Sequence, residues 1–76
     1  MGRVPIPKPS LLDTFTHLGY INGERRWRDA DGFLYTWDSL HGEIEVFSPR
    51  GRHRGAIDPL DGSWLKLARQ GRRIRV

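Results

Sequence analysis

The sequence predicts a mainly β, α+β fold in which one short N-terminal helix packs on an antiparallel meander sheet of about five strands. Three observations support this prediction. Turn signals that contain glycine recur at nearly even intervals between residues 29 and 62, a single capped apolar stripe precedes them, and 76 residues suffice for one small core. We therefore expect a single domain over residues 10–76.

The chain begins with a predicted arm and a predicted helix. Residues 1–9 carry three prolines in alternate positions, which favours an extended arm or linker. In the next segment, 10–19, Ser10 is the predicted N-cap, Asp13 lies at the capping-box position, and Gly19 is the predicted stop. The apolar stripe that would face the core consists of Leu11, Leu12, Phe15 and Leu18.

The segment from 24 to 67 is predicted to form the sheet. Turn signals end at Gly32, Gly42, Gly51 and Gly62, and a spacing of about 8 to 12 residues is typical of consecutive short antiparallel strands. The predicted strands are 25–28, 33–38, 43–47, 53–57 and 64–67. The basic C-terminal tail, 68–76, is a candidate for one further edge strand.

Composition excludes several classes of function and favours an acidic partner. There is no cysteine, hence no disulfide, no thiolate nucleophile and no cysteine-ligated zinc, and no apolar run approaches the roughly 20 residues of a membrane helix. The net charge of +4 attracts phosphate polymers or acidic proteins. The candidate RNA-binding residues are Arg50, Arg52, Arg54, Lys66, Arg69, Arg73 and Arg75.

The stretch YTWDSLHGEIE, 35–45, concentrates the polar residues of one predicted hairpin. A loop over 39–42 would place Asp38 opposite Glu43 and Thr36 opposite Glu45, all on one face of the sheet. The other face would form a core from Tyr35, Trp37, Ile44 and Val46.

The acidic residues on one face of this hairpin are not expected to stabilise the fold, because like charges opposite each other destabilise a strand pair. Crowded carboxylates raise one another's pKa and arginines lower it, which can produce a carboxylate that accepts a proton near neutral pH. His41, in the loop, could donate one. Two alternatives stay open: the carboxylates are ordinary solvated charges, or they hold a hard cation weakly with His41. For His17 and His53 we expect structural or surface roles.

Three segments together carry a family resemblance. RRWRDADGFLYTWDSLHGEIE, GRHRGAIDP and DGSWLK match a pattern of a tryptophan strand, a Y-x-W-D-S-x-H-G-E-x-E hairpin, and a glycine turn before an F/I-D-P corner. This pattern resembles the cytotoxic ribonuclease domain of cloacin and the ribosome-inactivating E-group colicins. The resemblance covers about residues 24–66, and it implies a highly twisted antiparallel sheet with an N-terminal helix.

The resemblance also implies an activity, namely a single cut in small-subunit (16S) ribosomal RNA at the decoding site, which stops translation. The implied mechanism is metal-independent attack of a ribose 2'-hydroxyl on the adjacent phosphorus, which leaves a 2',3'-cyclic phosphate and a 5'-hydroxyl. Glu45 would be the base, His41 the acid, and Asp38 the group that orients His41. The full implied set is Asp38, His41, Glu43 as a supporting acid, Glu45, and Arg72, for which Arg73 is the alternative.

The partners implied are the small ribosomal subunit with its rRNA, and an acidic immunity protein or antitoxin. No cofactor, metal or membrane partner is expected. The site of action would be the bacterial cytoplasm, reached either as the C-terminal module of a larger secreted toxin or as a free-standing relative. Two other classes compete with a nuclease: a non-catalytic basic RNA- or ribosome-binding module, and a small basic domain that binds an acidic protein. The first would not depend on the Glu45 carboxylate, and the second would show no preference for RNA over other polyanions.

Overall fold

The structure, a computed structural model that describes residues 2–76, shows these residues forming one antiparallel sheet of six strands. Each strand pairs with its neighbours along the chain, so the predicted meander is confirmed. All five predicted strands are present to within one residue, and one strand precedes them. The strands are β1 Thr16–Ile21, β2 Glu24–Arg28, β3 Leu34–Asp38, β4 Glu43–Phe47, β5 His53–Ile57 and β6 Trp64–Leu67.

The prediction of a helix over 10–19 is wrong. Only Leu11–Thr14 form a single 3₁₀ turn, although the predicted cap is present, with the Asp13 carboxylate accepting the Ser10 backbone N–H at 2.9 Å. The chain then continues as β1, since an isolated helix of ten residues is marginal in water and pairing with β2 satisfies the backbone groups of this segment. Gly19, with φ +86°, lies at an irregularity within β1 instead of at a helix end.

The core lies on the predicted apolar face of the β3–β4 hairpin. Ile44 is fully buried between Trp37 and Ile57 of the flanking strands. Leu12 of the 3₁₀ turn is buried in the same cluster. Leu11 and Phe15 of the wrongly predicted helix pack against this cluster, and burial of a side chain such as Leu12 contributes roughly 2 kcal/mol.

The opposite face of the sheet is covered by the C-terminal segment, 68–76. This segment does not form the further strand considered from the sequence; its one bridge within the described residues joins Arg73 to Arg52. Ile74 donates its backbone N–H to the Gly51 carbonyl at 2.8 Å. The buried Arg26 donates to the Arg75 carbonyl at 2.7 Å. These contacts hold the basic segment across the polar face of β4.

The N-terminal residues lie against the loop between β3 and β4. The backbone N–H of Val4 donates to the Ser39 carbonyl at 2.7 Å, and the indole N–H of Trp37 donates to the Val4 carbonyl at 2.9 Å. This loop is therefore supported from outside the sheet. Across residues 2–76 we find no helix with the length and apolar character that spanning a membrane requires.

Candidate active site

The β3–β4 hairpin has the predicted register, with Asp38 opposite Glu43 and Thr36 opposite Glu45. The four residues lie on the face that the C-terminal segment covers, so this face is only partly open to solvent. Thr36 and Glu45 are buried, with 1% and 6% of their surface exposed, whereas Asp38 and Glu43 are partly accessible. The hairpin thus presents a buried carboxylate, that of Glu45, beside a pair of more accessible ones.

Asp38 organises the loop that carries His41. Its Oδ1 accepts the backbone N–H groups of Leu40 and His41, and its Oδ2 lies 2.8 Å from Nδ1 of the His41 ring. Burial acts to raise the pKa of Asp38, but the hydrogen bonds from the His41 ring and from the two backbone N–H groups outweigh it and lower the pKa below its usual value. Asp38 is therefore ionised at neutral pH and holds the His41 ring through Nδ1, which leaves Nε2 for proton transfer.

Glu45 lies deeper, with 8% of its side chain exposed. Its Oε1 forms an ion pair with Nη1 of Arg72, which the C-terminal segment carries over the sheet. Nε2 of His53 lies 3.2 Å from the same oxygen. The guanidinium compensates the buried negative charge while keeping other N–H groups for a second acceptor.

Glu43 has a cation of its own, because its Oε1 lies 3.0 Å from Nζ of Lys66. Each carboxylate on this face therefore has a separate basic partner, which offsets the repulsion between opposed acids. One ligand atom each from Asp38, His41 and Glu43 lie within 4.8 Å of one another, so these residues are the group within 2–76 that could hold a metal ion. Oδ2 of Asp38, Nδ1 of His41 and Oε1 of Glu43 are already hydrogen-bonded or ion-paired.

A cleft of about 470 Å³ joins these groups, a size suited to one or two nucleotides. It brings together four of the five predicted catalytic residues, and Glu43 stands outside its lining. The cleft is bounded on its far side by β6 and by the start of the C-terminal segment. Its charged and polar lining consists of Asp38, His41, Glu45, His53, Lys66, Arg69 and Arg72.

The seven predicted RNA-binding residues are all exposed. Lys66 and Arg69 line the central cleft. A second cavity of about 560 Å³ adjoins it and is lined by Arg52, Arg69 and Arg73 among others, whereas Arg50, Arg54 and Arg75 line neither space. Arg73, the alternative to Arg72, faces this second cavity and makes no ion pair with Glu45.

His53 is the site residue that sequence reasoning missed. It is 7% exposed and its Nε2 lies 3.2 Å from Oε1 of Glu45, so of the structural or surface role expected, the surface role does not hold. Simple alternation would place His53 on the core face, because Ala56 lies opposite Glu45. An irregularity in the pairing after Val46 sets His53 opposite Phe47 and so turns its ring to the polar face. The glycine at position 55, with φ +138°, was the signal in the sequence for such a bulge.

The model of the protein family described as Cytotoxic matches residues 6–75 of this chain. The chain therefore belongs to the Cytotoxic family, and the family membership predicted from the hairpin is confirmed. Among curated proteins, colicin E3 of Escherichia coli is 37% identical over 60 residues, which are 78% of this chain and 11% of colicin E3. The chain thus corresponds to about one tenth of the length of that relative.

Proposed function

We propose that this chain is a bacterial toxin endoribonuclease that cleaves 16S rRNA at the decoding site of the ribosome and stops translation. The observation that carries the proposal is the meeting, in one cleft, of the buried Glu45–Arg72 pair and the Asp38–His41 pair. Membership of the Cytotoxic family and the similarity to colicin E3 support it. The ribonuclease domain comprises residues 10–76, with residues 1–9 as an arm.

Glu45 is the general base in this mechanism. It removes the proton of a ribose 2'-hydroxyl, whose oxygen attacks the adjacent phosphorus while the bond to the 5'-oxygen breaks. Arg72 donates to the phosphoryl oxygens, where negative charge develops in the transition state. The guanidinium has five N–H donors, so it can contact Glu45 and phosphate together. The products are a 2',3'-cyclic phosphate and a 5'-hydroxyl, and no metal takes part.

His41 is the general acid that protonates the departing 5'-oxygen. Asp38 holds Nδ1 at 2.8 Å, which leaves Nε2 to deliver a proton to the leaving group. General acid–base assistance contributes about 100- to 10,000-fold, and charge stabilisation supplies the remainder. Glu43 acts as a supporting acid that holds Lys66 at the edge of the cleft.

The basic residues around both cavities bind the RNA backbone, and affinity for ribosomes should therefore fall steeply as salt concentration rises. The requirement for a 2'-hydroxyl excludes DNA as a substrate. We propose an acidic immunity protein as the second partner, because such a protein complements the basic surface. The domain acts in the bacterial cytoplasm, delivered from outside as a module of a larger secreted toxin.

The test is to incubate the protein with intact bacterial ribosomes, without added metal, and to map the ends of the rRNA. We expect one cut near the 3' end of 16S rRNA, lost in Glu45→Gln and in His41→Ala. Asp31→Asn is the matched control, because it makes the same kind of change in the turn at the other end of β3. Intact rRNA with retained ribosome binding would instead identify an RNA-binding module, and cleavage that survives both substitutions would place the active site elsewhere.

A further inference from the structure

We propose that His53 is a positioning residue for Glu45: its neutral ring, with the proton on Nε2, orients the carboxylate so that the second oxygen, Oε2, faces the substrate. This inference rests on the proposed function, since it specifies how the general base is held. His53 itself touches no reacting atom.

The tautomer of His53 is set by the backbone. The N–H of Arg69 donates to Nδ1 of the ring at 2.9 Å. A ring nitrogen that accepts a hydrogen bond carries no proton, so in the neutral ring the proton lies on Nε2. The start of the C-terminal segment therefore determines which nitrogen faces the site.

The Glu45 carboxylate is the hydrogen-bond acceptor nearest to the Nε2–H group of His53. Nε2 is fully buried, has no aligned hydrogen-bond acceptor among residues 2–76, and lies 3.2 Å from Oε1 of Glu45. A buried polar group without a partner is costly, and a small rotation of the carboxylate satisfies this one. Arg72 also contacts Oε1. With both donors on Oε1, Oε2 is the oxygen left to accept the proton of the 2'-hydroxyl.

The surroundings keep the ring neutral at pH 7. Burial lowers the pKa of His53, Glu45 opposes this, and the positive charges of Arg72 and Arg69 lower it further, so that the pKa lies below its usual value. The cavities that His53 lines add the cations of Arg52, Lys66 and Arg73, together with Asp38 and His41. A neutral donor orients Glu45 without adding a second full positive charge, which would make the carboxylate a poorer base.

The ring is also held mechanically. Phe47 packs against it edge to face, with the ring centres 5.3 Å apart. The position opposite Phe47 results from the irregular pairing of β4 with β5. His53 therefore has contacts on three sides, from Phe47, from Arg69 and from Glu45, as expected of a side chain that fixes another.

Three substitutions separate the contacts of His53. His53→Gln places an amide N–H near the position of Nε2, so it can still donate to Glu45. His53→Asn keeps an acceptor near the position of Nδ1 for the Arg69 N–H but is too short to reach Glu45. His53→Phe keeps the ring shape and neither polar contact. The matched control is His17→Asn, which makes the same change at an exposed histidine on β1.

The measurement is the single-turnover rate of 16S rRNA cleavage in ribosomes as a function of pH, with ribosome binding measured in parallel. We expect His53→Gln to keep most of the activity, and His53→Asn and His53→Phe to lose about 10- to 100-fold, the range for losing a hydrogen bond to a charged group. His53→Gln should differ from these two variants because only it keeps a donor to Glu45. A fully active His53→Asn would overturn the proposal and leave His53 only as a support for the Arg69 segment.

A second readout does not depend on cleavage. The ¹⁵N shifts of the imidazole in the folded wild-type protein at pH 7 should identify a neutral His53 ring with its proton on Nε2. A protonated ring, or a proton on Nδ1, would overturn the inference whatever the variants do. A wild-type protein that shows the expected tautomer but never cleaves RNA would instead contradict the proposed function.

Discussion

Replacing Arg72 by alanine should lower the single-turnover rate of rRNA cleavage about 100- to 1,000-fold, the usual cost of removing one donor to a developing negative charge. Arg73→Ala is the matched control, since it makes the same change at the next residue. Arg73 faces the second cavity and does not pair with Glu45. Its loss should weaken ribosome binding and reduce the salt dependence by about one phosphate contact, with little change in the rate of the bound complex.

The effect of Arg72→Ala on stability can be worked out from the exposure of the two partners. The Glu45 side chain is 8% exposed and the Arg72 side chain is 43% exposed. Breaking a buried ion pair costs about 3 to 5 kcal/mol, whereas an exposed pair contributes about 0 to 1 kcal/mol. Because solvent screens the arginine, we expect a loss between these limits, about 1 to 2 kcal/mol in the free energy of unfolding. Most of this loss comes from a buried carboxylate left without its cation.

The double variant Arg72→Ala, Glu45→Gln tests that explanation. Without the buried charge, the second substitution should restore about 1 kcal/mol relative to Arg72→Ala alone, as measured by urea unfolding. If the double variant is less stable than wild type by the sum of the losses of the two single variants, the two side chains do not interact. If Arg73→Ala slows single-turnover cleavage more than Arg72→Ala does, the catalytic role belongs to Arg73.

Two further predictions concern pH and the C-terminal segment. Because the pKa of Asp38 is lowered in the folded protein, its contribution to stability is present above about pH 4 and is lost as the pH falls through the folded value. Asp38→Asn should therefore reduce the free energy of unfolding at pH 7, and the variant and the wild type should become equally stable in acid. If the difference in their free energies of unfolding stays constant down to about pH 2, the ion pair with His41 is not its cause. Gly51 has φ +87°, and a Cβ there would collide with the Ile74 carbonyl, so Gly51→Ala should displace the C-terminal segment and lower the cleavage rate at least tenfold. Gly23 has a similar φ, +80°, but a Cβ there would contact no other residue. Gly23→Ala should therefore cost only backbone strain of about 1 kcal/mol and keep the wild-type cleavage rate. Equal cleavage rates in Gly51→Ala and Gly23→Ala would contradict the role given to the C-terminal segment.

The strands and the central hairpin were predictable because the interactions that define them are local. A four-residue loop and the alternation of side chains between the two faces of a strand together allow one register for the β3–β4 pair. The structure has that register, from Leu34 opposite Phe47 to Asp38 opposite Glu43. The same patterns placed the boundaries of the other three predicted strands to within one residue, whereas β1 was not predicted. Spacing between turn signals thus determines a meander almost completely.

The N-terminal segment shows where local patterns fail. A capping box and an apolar stripe are genuine local features, and the box forms around Ser10 as predicted. They do not determine the conformation of the residues after the first turn, since a short segment takes the conformation in which its backbone groups find partners, and β2 offered an unpaired edge. Three of the four residues of the stripe, Leu11, Leu12 and Phe15, still lie in or against the core.

By itself the sequence determined the meander, the acidic face of the hairpin with Asp38, His41 and Glu45, and membership of the Cytotoxic family. The tertiary structure decided that Arg72, and not Arg73, reaches Glu45, and that His53 lies beside them. The physical reason is that these contacts join residues far apart in the chain. They depend on a bulge in β5 and on the C-terminal segment, which hydrogen bonds hold in place. Neither feature produces a periodic pattern of residues in the sequence.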